Sequence, residues 1–573
     1  MILEKLEIQN FRNCDGVSID LHPTSNFLIG ENNIGKSNIL ELLQKLFNNS
    51  RFWDNDFYDL SKPISVNIKF RLSEFEIGFF GDAFDSEDQN TITLTCYQED
   101  QDSNITLVHQ ATETGLNSRV LRGVNFIHYS SLRNPSAELT FTGERSYGAG
   151  RFLRSIINRY AKEQNLTNQT LIKEEEFDKL IEHVNGTLQQ MKSFSDFNIE
   201  AAFDESAELM VRKLLYLKDN KGLEIGRSGN GVQFMLLMTI ALLDKIDDII
   251  GKDSSRYYTD GNGRKILPII IALDEPEIHL HPFMQRALIK EFNNMLRNEN
   301  AGFSSIVKSF FGIDELEGQL LVVTHSPNIL LDDYRQLIRL YKENDNVKAI
   351  SGNTIQLDLK LQKHFLMQFP LFKEAFYAKA CIVVEGDTEL GCFPQFGKTL
   401  GFDFDDLAIA VIQARGDAVK TIMELLEKFG IPAFGVRDSD GKNIPAQGRL
   451  FITQKHDFEE ELIETNWTER NSTLKRLIND YTSIGEKETI DANALNKHVH
   501  KKDKFHFQEF TSSLRLSKIS DSKTMLQKAY YLAWFRMNKS IVLGREIGKT
   551  LKEVEIPEIY KKVIREAAQN AIQ

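Results

Sequence analysis

The sequence predicts an α/β chain of two consecutive units, and three observations carry that prediction. A glycine-rich loop over 30–37 follows an apolar run and opens a helical pattern. Two strongly apolar runs far downstream, 266–273 and 320–323, read as buried parallel strands. From about residue 375, short apolar runs at 379–384, 407–412, 431–436 and 450–453 alternate with helical segments, the rhythm of a second α/β unit.

Composition sets the frame. A chain of 573 residues has room for about two to four domains. Hydrophobic residues at 41% and charged residues at 26% are an ordinary globular balance, which excludes wholesale disorder, a collagen-like repeat and a disulfide scaffold. No run approaches the roughly 18 apolar residues of a membrane span. Met1-Ile2-Leu3-Glu4-Lys5 lacks the basic-then-apolar order of a signal peptide. The expectation is a cytoplasmic protein with no membrane partner. A net charge of −13 argues against a passive nucleic-acid coat, but not against an enzyme that meets DNA through a local basic channel or bound cations. Cys14, Cys96, Cys381 and Cys392 form no close ligand pair and read as reduced thiols.

Residues 3–8 alternate, and 26–29 run apolar into Gly30. Alternation at 65–70, 91–97, 104–108 and 124–129 predicts half-exposed antiparallel strands. From about 150 to 217 the pattern turns helical, with Phe152, Ile156, Ile157 and Tyr160 at helical spacing, and Leu180, Ile181 and Val184 likewise. No heptad is sustained, so no long coiled coil is expected. Residues 342–361 are polar and rich in Asn and Lys, and the C-terminal stretch beyond about 463 reads as helical and charged. The expected divisions are 1–149, 150–217, 218–374 and 375–573.

The strongest motif is Gly30-Glu31-Asn32-Asn33-Ile34-Gly35-Lys36-Ser37, which matches the phosphate-loop pattern at every fixed position. Its glycines let backbone N–H groups face phosphates, Lys36 reaches the terminal phosphates, and Ser37 holds Mg²⁺. The run ending in Asp274-Glu275-Pro276 supplies a second part. A carboxylate at such a strand end holds Mg²⁺, here Asp274, and its neighbour Glu275 polarises the attacking water. An acid pair alone is often a helix cap, a reading that weakens once a phosphate loop precedes it. Ser228-Gly229-Asn230-Gly231 lies between them, and Thr324-His325-Ser326 ends the later strand.

The second unit carries acids at successive strand ends. Val384 leads into Glu385-Gly386-Asp387-Thr388-Glu389, the next strand but one leads into Asp438-Ser439-Asp440, and the last leads into Asp457-Phe458-Glu459-Glu460-Glu461. Each alone reads as a solvated acidic cap about half the time. Three together are carboxylates that repel unless a cation joins them, and hard oxygen ligands favour Mg²⁺ or Mn²⁺.

In their order, the phosphate loop, the Ser-Gly-rich signature, Asp-Glu-Pro and the strand-end His resemble the ATP-binding-cassette ATPases. Ile8-Gln9-Asn10-Phe11-Arg12 looks like their DNA-repair and chromosome-organising branch. That resemblance implies two heads sandwiching ATP. Arg12, Gly30, Asn33, Gly35, Lys36, Ser37, Asn38 and Asp274 of one head, with Ser228 and Gly231 of the other, would hold the nucleotide. Glu275 and His325 would act in hydrolysis, His325 as the sensor of the terminal phosphate. No Leu precedes Ser228 and Asn230 separates the glycines, a departure from the usual signature that puts cross-dimer contacts and fast turnover in question. The acidic unit resembles the TOPRIM domain of topoisomerases, primases and related nucleases.

Joined in one chain, the two look like the overcoming-lysogenisation-defect (OLD) nuclease family. The fold class this implies is an α/β ATP-binding-cassette-type head with a helical dimerisation insert, then an α/β TOPRIM domain and a helical C-terminal part. Residue by residue, Glu385 and Glu389 match the first acidic motif, Asp438 and Asp440 the Asp-x-Asp motif, and Asp457 and Glu459 the later one. These six are the implied metal ligands. Lys539, in Met537-Asn538-Lys539-Ser540, matches the family's C-terminal lysine, although by its own featureless helical surroundings it reads equally as an ordinary solvent-facing lysine. Glu385, Asp438, Asp440 and Lys539 are the implied catalytic set of the cutting site. The resemblance implies an ATP-regulated, divalent-metal-dependent DNA endonuclease in anti-phage defence, using ATP and Mg²⁺ or Mn²⁺. It also implies a homo-oligomer, dimer or tetramer, and a defence partner such as a helicase-like protein or a retron reverse transcriptase with its nucleic acid. Two rivals keep the motifs but change the work. A non-catalytic ATP-dependent sensor conflicts with three complete acidic motifs, and a repair ATPase without a nuclease leaves 375–573 unexplained. His279 and His281 read as structural or interfacial rather than as zinc ligands, and the basic tract 497–504 as a solvated face.

Overall fold

The computed structural model describes residues 1–130, 152, 155–156, 159–160, 174–202, 216–219, 222, 230–252, 256–414, 418–440, 446–466, 473–474, 476–477, 531–532, 535–536 and 538–572, apart from 82, 86, 87, 279, 332 and 345. Two compact units emerge, Met1–Ile355 and Gln356–Gln573.

In the first unit, β1 (Ile2–Gln9), β2 (Val17–Asp20), β4 (Ile64–Arg71), β5 (Thr91–Gln98), β6 (Thr106–His109) and β7 (Thr114–Leu116) form an antiparallel sheet in the order β2-β1-β4-β5-β6-β7. Its strands alternate as the sequence suggests. Ile64, Val66, Ile68 and Phe70 of β4 are buried, and the residues between them face outward.

A second sheet is mostly parallel. It contains β3 (Ser25–Gly30), β8 (Phe126–Tyr129), β11 (Tyr258–Thr259), β12 (Lys265–Asp274), β13 (Glu315–Val323), β14 (Leu337–Glu343) and β15 (Asn346–Ser351). Their order is β11-β12-β13-β3-β14-β15, with β8 parallel beside β12. All six residues of β3 are buried, the pattern of a strand covered on both faces. Helix α1 (Lys36–Phe47) packs Leu40, Leu43 and Leu46 into one core shared by both sheets. Each such side chain contributes about 1.5–3 kcal/mol of burial. This fixes the helix start against the end of β3.

Three stretches differ from the sequence reading. The run 124–129, expected to be antiparallel, joins the mostly parallel sheet as β8, because Phe126–Tyr129 pairs in parallel with Ile270–Leu273. Part of the polar region 342–361 folds into the β14–β15 hairpin, because Asn344 takes a left-handed turn conformation (φ 49°) while Leu340 and Val347 reach the core. The helical region 150–217 also holds an antiparallel pair, β9 (Ile199–Ala202) with β10 (Tyr216–Asp219). Much of 150–217 and the tract 497–504 lie outside the described residues. Among the described residues no helix is long and apolar enough to cross a membrane.

The second unit is a parallel sheet of β16 (Ala380–Val384), β17 (Ile409–Gln413), β18 (Ala433–Arg437) and β19 (Leu450–Ile452), ordered β17-β16-β18-β19. Strand order reverses between β16 and β18. In open α/β sheets that switch point opens a crevice at the carboxyl ends of the strands. Among the described residues, the helix Leu359–Phe372 and helices α2 (Asp387–Thr399), α3 (Ala418–Lys428), α4 (Phe458–Asn466), α5 (Ile541–Thr550) and α6 (Glu558–Ile572) belong to this unit. Phe393, Phe396, Phe458 and Tyr560 form its aromatic centre.

Candidate functional site

The glycine-rich loop leaves β3 and enters α1. Gly30 takes φ 138°, and a Cβ there would lie 2.2 Å from the carbonyl oxygen of Leu340, so the loop turns only with glycine at this place. The helix is preceded by Gly35, which offers no side-chain cap, so the first-turn N–H groups stay available to an anion. Lys36 Nζ donates to the carbonyls of Gly30 (2.9 Å) and Glu31 (2.6 Å). Ser37 Oγ donates to Asp274 Oδ1 at 2.9 Å. Because β13 lies between β3 and β12, the ends of all three strands meet here, and His325 Nε2 stands 3.3 Å from Glu275 Oε1. A cavity of about 720 Å³ opens between the loop, Glu275, Glu277 and His325.

The second constellation sits at the strand ends of the other unit. Glu385 follows β16, and its Oε2 accepts from the backbone N–H of Asp438, just past β18, at 3.1 Å. Asp438 Oδ1 accepts from the N–H of Phe458 at 2.9 Å, which ties the third acidic segment to the second. Glu389 is buried in the first turn of α2. A Cβ on Gly386 would lie 2.4 Å from its carboxylate, so the glycine makes room for that acid. Lys539 Nζ pairs with the fully buried Glu459 at 2.7 Å, and Arg536 Nε donates to Asp457 at 2.6 Å. Lys539 is brought there by helix α5, which crosses α2 at close range. Cβ atoms on Gly544 and Gly391 would come within 2.1 and 2.2 Å of the partner helix backbone.

The family described as AAA ATPase domain matches residues 1–123 and 144–330. The chain belongs to the AAA ATPase domain family. Its second unit matches, over 376–440, the family described as overcoming lysogenization defect protein-like, TOPRIM domain. Among relatives, the Old nuclease of Escherichia phage P2 is 22% identical over 488 residues, spanning 76% of this chain and 77% of its own. Endonuclease GajA of Bacillus cereus (strain VD045) is 24% identical over 423 residues, spanning 68% of this chain and 66% of its own. The chain thus spans just under two thirds of that relative. Among solved structures, the C-terminal region of the Burkholderia pseudomallei OLD protein is similar at 15% identity and TM-score 0.24, covering 34% of this chain and 99% of that chain.

In the ATPase unit, burial lowers Lys36 to about 8. Burial also raises Asp274 to about 6, and the charges of Glu275 and Glu41 push it the same way. Burial and the nearby Lys36 hold His325 below the usual imidazole range. The pair of hydroxyl and carboxylate oxygens on Ser37 and Asp274, beside an uncapped helix start, fits a divalent cation with a phosphate chain. Asn33 takes the left-handed conformation in the loop (φ 59°). Arg12 braces the flank of α1. Its guanidinium donates to Asp56 at 2.9 Å, Glu41 at 2.6 Å and Asn38 at 2.7 Å, and Asn38 in turn donates to Asn13 at 2.8 Å. Gly231 lies in the first turn of the helix Asn230–Lys252, and Ser228 lies outside the described residues. His281 caps the helix Pro282–Leu296 through its ring, and His279 lies outside the described residues.

In the TOPRIM unit, burial raises Glu389, Asp438 and Glu459 above the usual carboxylate range, and the charges of neighbouring acids add to it. Asp457 is held well below that range: burial opposes ionisation there, but His456 and Arg536 outweigh it. Glu385 is also raised, chiefly by burial. Asp440 takes a left-handed conformation (φ 51°), with its N–H bonded to the carbonyl of His456 at 2.9 Å. Among the described residues no three His, Cys, Asp or Glu side chains are closed into a metal cage. The donor set nevertheless suits a hard cation, since these are oxygens whose mutual repulsion a cation would relieve. Arg536, Gly391 and Gly544 were not singled out in the sequence. The only signal among them is the pair Gly544 and Gly548, four apart on one helix face.

Proposed function

We propose that this chain is a divalent-metal-dependent DNA endonuclease whose cutting is regulated by ATP, and that it acts in defence against phage. The observation that carries the reading is the pairing of Lys539 with Glu459 among carboxylates at the strand ends of the second unit's sheet. A lysine inside an acid group at strand ends is suited to a phosphodiester, whose charge grows during cleavage. The names of the two relatives, a nuclease and an endonuclease, support the same reaction class.

Glu385, Glu389, Asp438, Asp440, Asp457 and Glu459 would hold the cations. When bound, such ions activate a nucleophile and stabilise a leaving oxygen. The chain's own groups do the rest. Lys539 offsets charge on the phosphate, Arg536 keeps Asp457 ionised, and the N–H groups of Asp438 and Phe458 fix the carboxylates of Glu385 and Asp438. In the first unit, Lys36, Ser37 and Asp274 would bind ATP with its cation, while Glu275 and His325 would act on its terminal phosphate. Nucleotide state is read as gating the cutting site rather than driving movement along DNA. Pairing of two heads, with 150–217 as the dimerisation insert, belongs to the same proposal.

Supercoiled plasmid incubated with the purified chain and Mg²⁺ or Mn²⁺ tests it. Nicked or linear product is expected with metal, none with EDTA, and a loss of about 100-fold or more in Glu385→Ala. Product that persists in Glu385→Ala, or none with the wild-type chain under any metal, contradicts the proposal.

A further inference from the structure

Glu277 was not among the residues singled out from the sequence, yet it joins two of them. It lies two residues past Glu275, in the loop that follows β12, and lines the cavity beside Lys36. Its Oε1 accepts two hydrogen bonds from the end of the neighbouring strand β13: one from the backbone N–H of His325 at 2.6 Å, one from the hydroxyl of Thr324 at 2.9 Å. A second tie runs the opposite way, from the N–H of Glu275 to the carbonyl of Val323 at 2.9 Å. The two loops are therefore latched reciprocally, once by backbone and once by the Glu277 carboxylate. Glu275 itself sits in the left-handed region (φ 47°), a conformation that costs free energy and persists only where the surroundings enforce it.

The latch is costly to keep. Glu277 Oε2 is buried and has no hydrogen-bond partner among the described residues. A structural hydrogen bond between two loops could be made by a neutral side chain without leaving a carboxylate oxygen unmatched. A carboxylate gives shorter, stronger bonds to an N–H, and so holds His325 more tightly than an amide would. Beyond it the network continues. Thr324 Oγ1 accepts from the N–H of Ser326 at 2.9 Å, and Ser326 Oγ donates to Gln285 at 2.6 Å. The His325 loop is thus fixed on both sides.

We propose that Glu277 is a positioning residue that sets the approach of His325 to Glu275 and thereby the rate of ATP hydrolysis, without contributing to ATP binding. This rests on reading the first unit as an ATP-hydrolysing site. The nucleotide is held from the other wall of the cavity, by the loop, Lys36 and Ser37. Loss of Glu277 leaves that wall intact and lets His325 drift from the 3.3 Å it keeps from Glu275. Misplacement of a reacting group by about 1 Å costs on the order of 100-fold.

The test is steady-state ATP hydrolysis by the full chain with Mg²⁺, beside binding of a fluorescent ATP analogue. Glu277→Ala is expected to lower kcat about 100-fold while KM and analogue affinity stay within about twofold. Glu277→Gln, whose amide oxygen still accepts both bonds, restores kcat to within about fivefold of wild type. In a His325→Ala background, Glu277→Ala costs less than about twofold more, because it acts through the histidine. An unchanged kcat in Glu277→Ala, or full additivity with His325→Ala, overturns the inference. Should Glu277→Ala fail to fold, Glu277→Asp decides. The carboxylate is then withdrawn by one methylene, and a kcat loss of about tenfold at constant KM supports the inference, whereas an unchanged kcat overturns it. A wild-type chain that binds ATP without hydrolysing it removes the underlying reading and this inference together. Hydrolysis indifferent to Glu277 removes this inference alone.

Discussion

Lys36 illustrates how a single side chain sets the operating range of the nucleotide site. Burial lowers it to about 8, and its ammonium rests on the carbonyls of Gly30 and Glu31. Phosphate binding needs the charged form, which predominates below pH 8 and falls about tenfold per unit above it. ATP affinity is therefore expected to be flat from about pH 7 to 7.5 and to weaken by up to about tenfold per unit above pH 8. Calorimetric titration between pH 7 and 9.5 checks this, and a flat profile to the upper limit contradicts it. Much of this site was legible in the sequence, because a phosphate loop is local. Gly30, Lys36 and Ser37 are neighbours in the chain, and their backbone geometry follows from their identities. Glu277 was not legible, since its meaning depends on Thr324 and His325, which only the pairing of β12 with β13 brings alongside.

The element that matters most in the second unit is helix α5. Its one mark in the sequence is the pair Gly544 and Gly548, and it lies far along the chain from the acids it serves. Its place is set by Gly544, whose absent side chain admits the backbone of Thr388, and by Gly391 on the facing helix. Cys392 Sγ donates to the carbonyl of Gly544 at 3.0 Å, and Ser540 caps α5 through the N–H of Leu543. Lys539 stands immediately before that cap. Gly544→Ala must therefore push α5 away from α2 and withdraw Lys539 from Glu459. A destabilisation of about 1–3 kcal/mol is expected from overpacking, with a cleavage rate about 100-fold lower at temperatures where the chain stays folded. Thermal unfolding and plasmid cleavage read the two effects, and a variant that cleaves at the wild-type rate contradicts this account of how Lys539 is placed. The strands were legible where apolar runs are long, as in β12 and β13. The β14–β15 hairpin was not, because its polar turn masks the alternation on either side.

On the scale of the whole molecule, the chain joins an AAA ATPase domain to an OLD-like TOPRIM domain. The order of the motifs made this organisation readable: the phosphate loop, Asp-Glu-Pro, the strand-end His and the three acidic motifs each follow a strand, and parallel sheets present strand ends at one edge. What the sequence could not reveal is how the acids are balanced. Arg536 and Asp457 lie 79 residues apart, and Lys539 lies still further from the first acidic motif. In the folded unit His456 and Arg536 hold Asp457 below the usual carboxylate range, and the charge of Lys539 opposes the burial that raises Glu459. A nuclease so arranged would be harmful if unrestrained, and the complete phosphate loop in the same chain is the device we assign to its control. The most direct test is the rate of plasmid cleavage at fixed Mg²⁺ as ATP is raised, in the wild-type chain and in Lys36→Ala. The account predicts that ATP changes the wild-type rate by about fivefold or more and leaves Lys36→Ala unmoved. Equal rates with and without ATP in both proteins would contradict it.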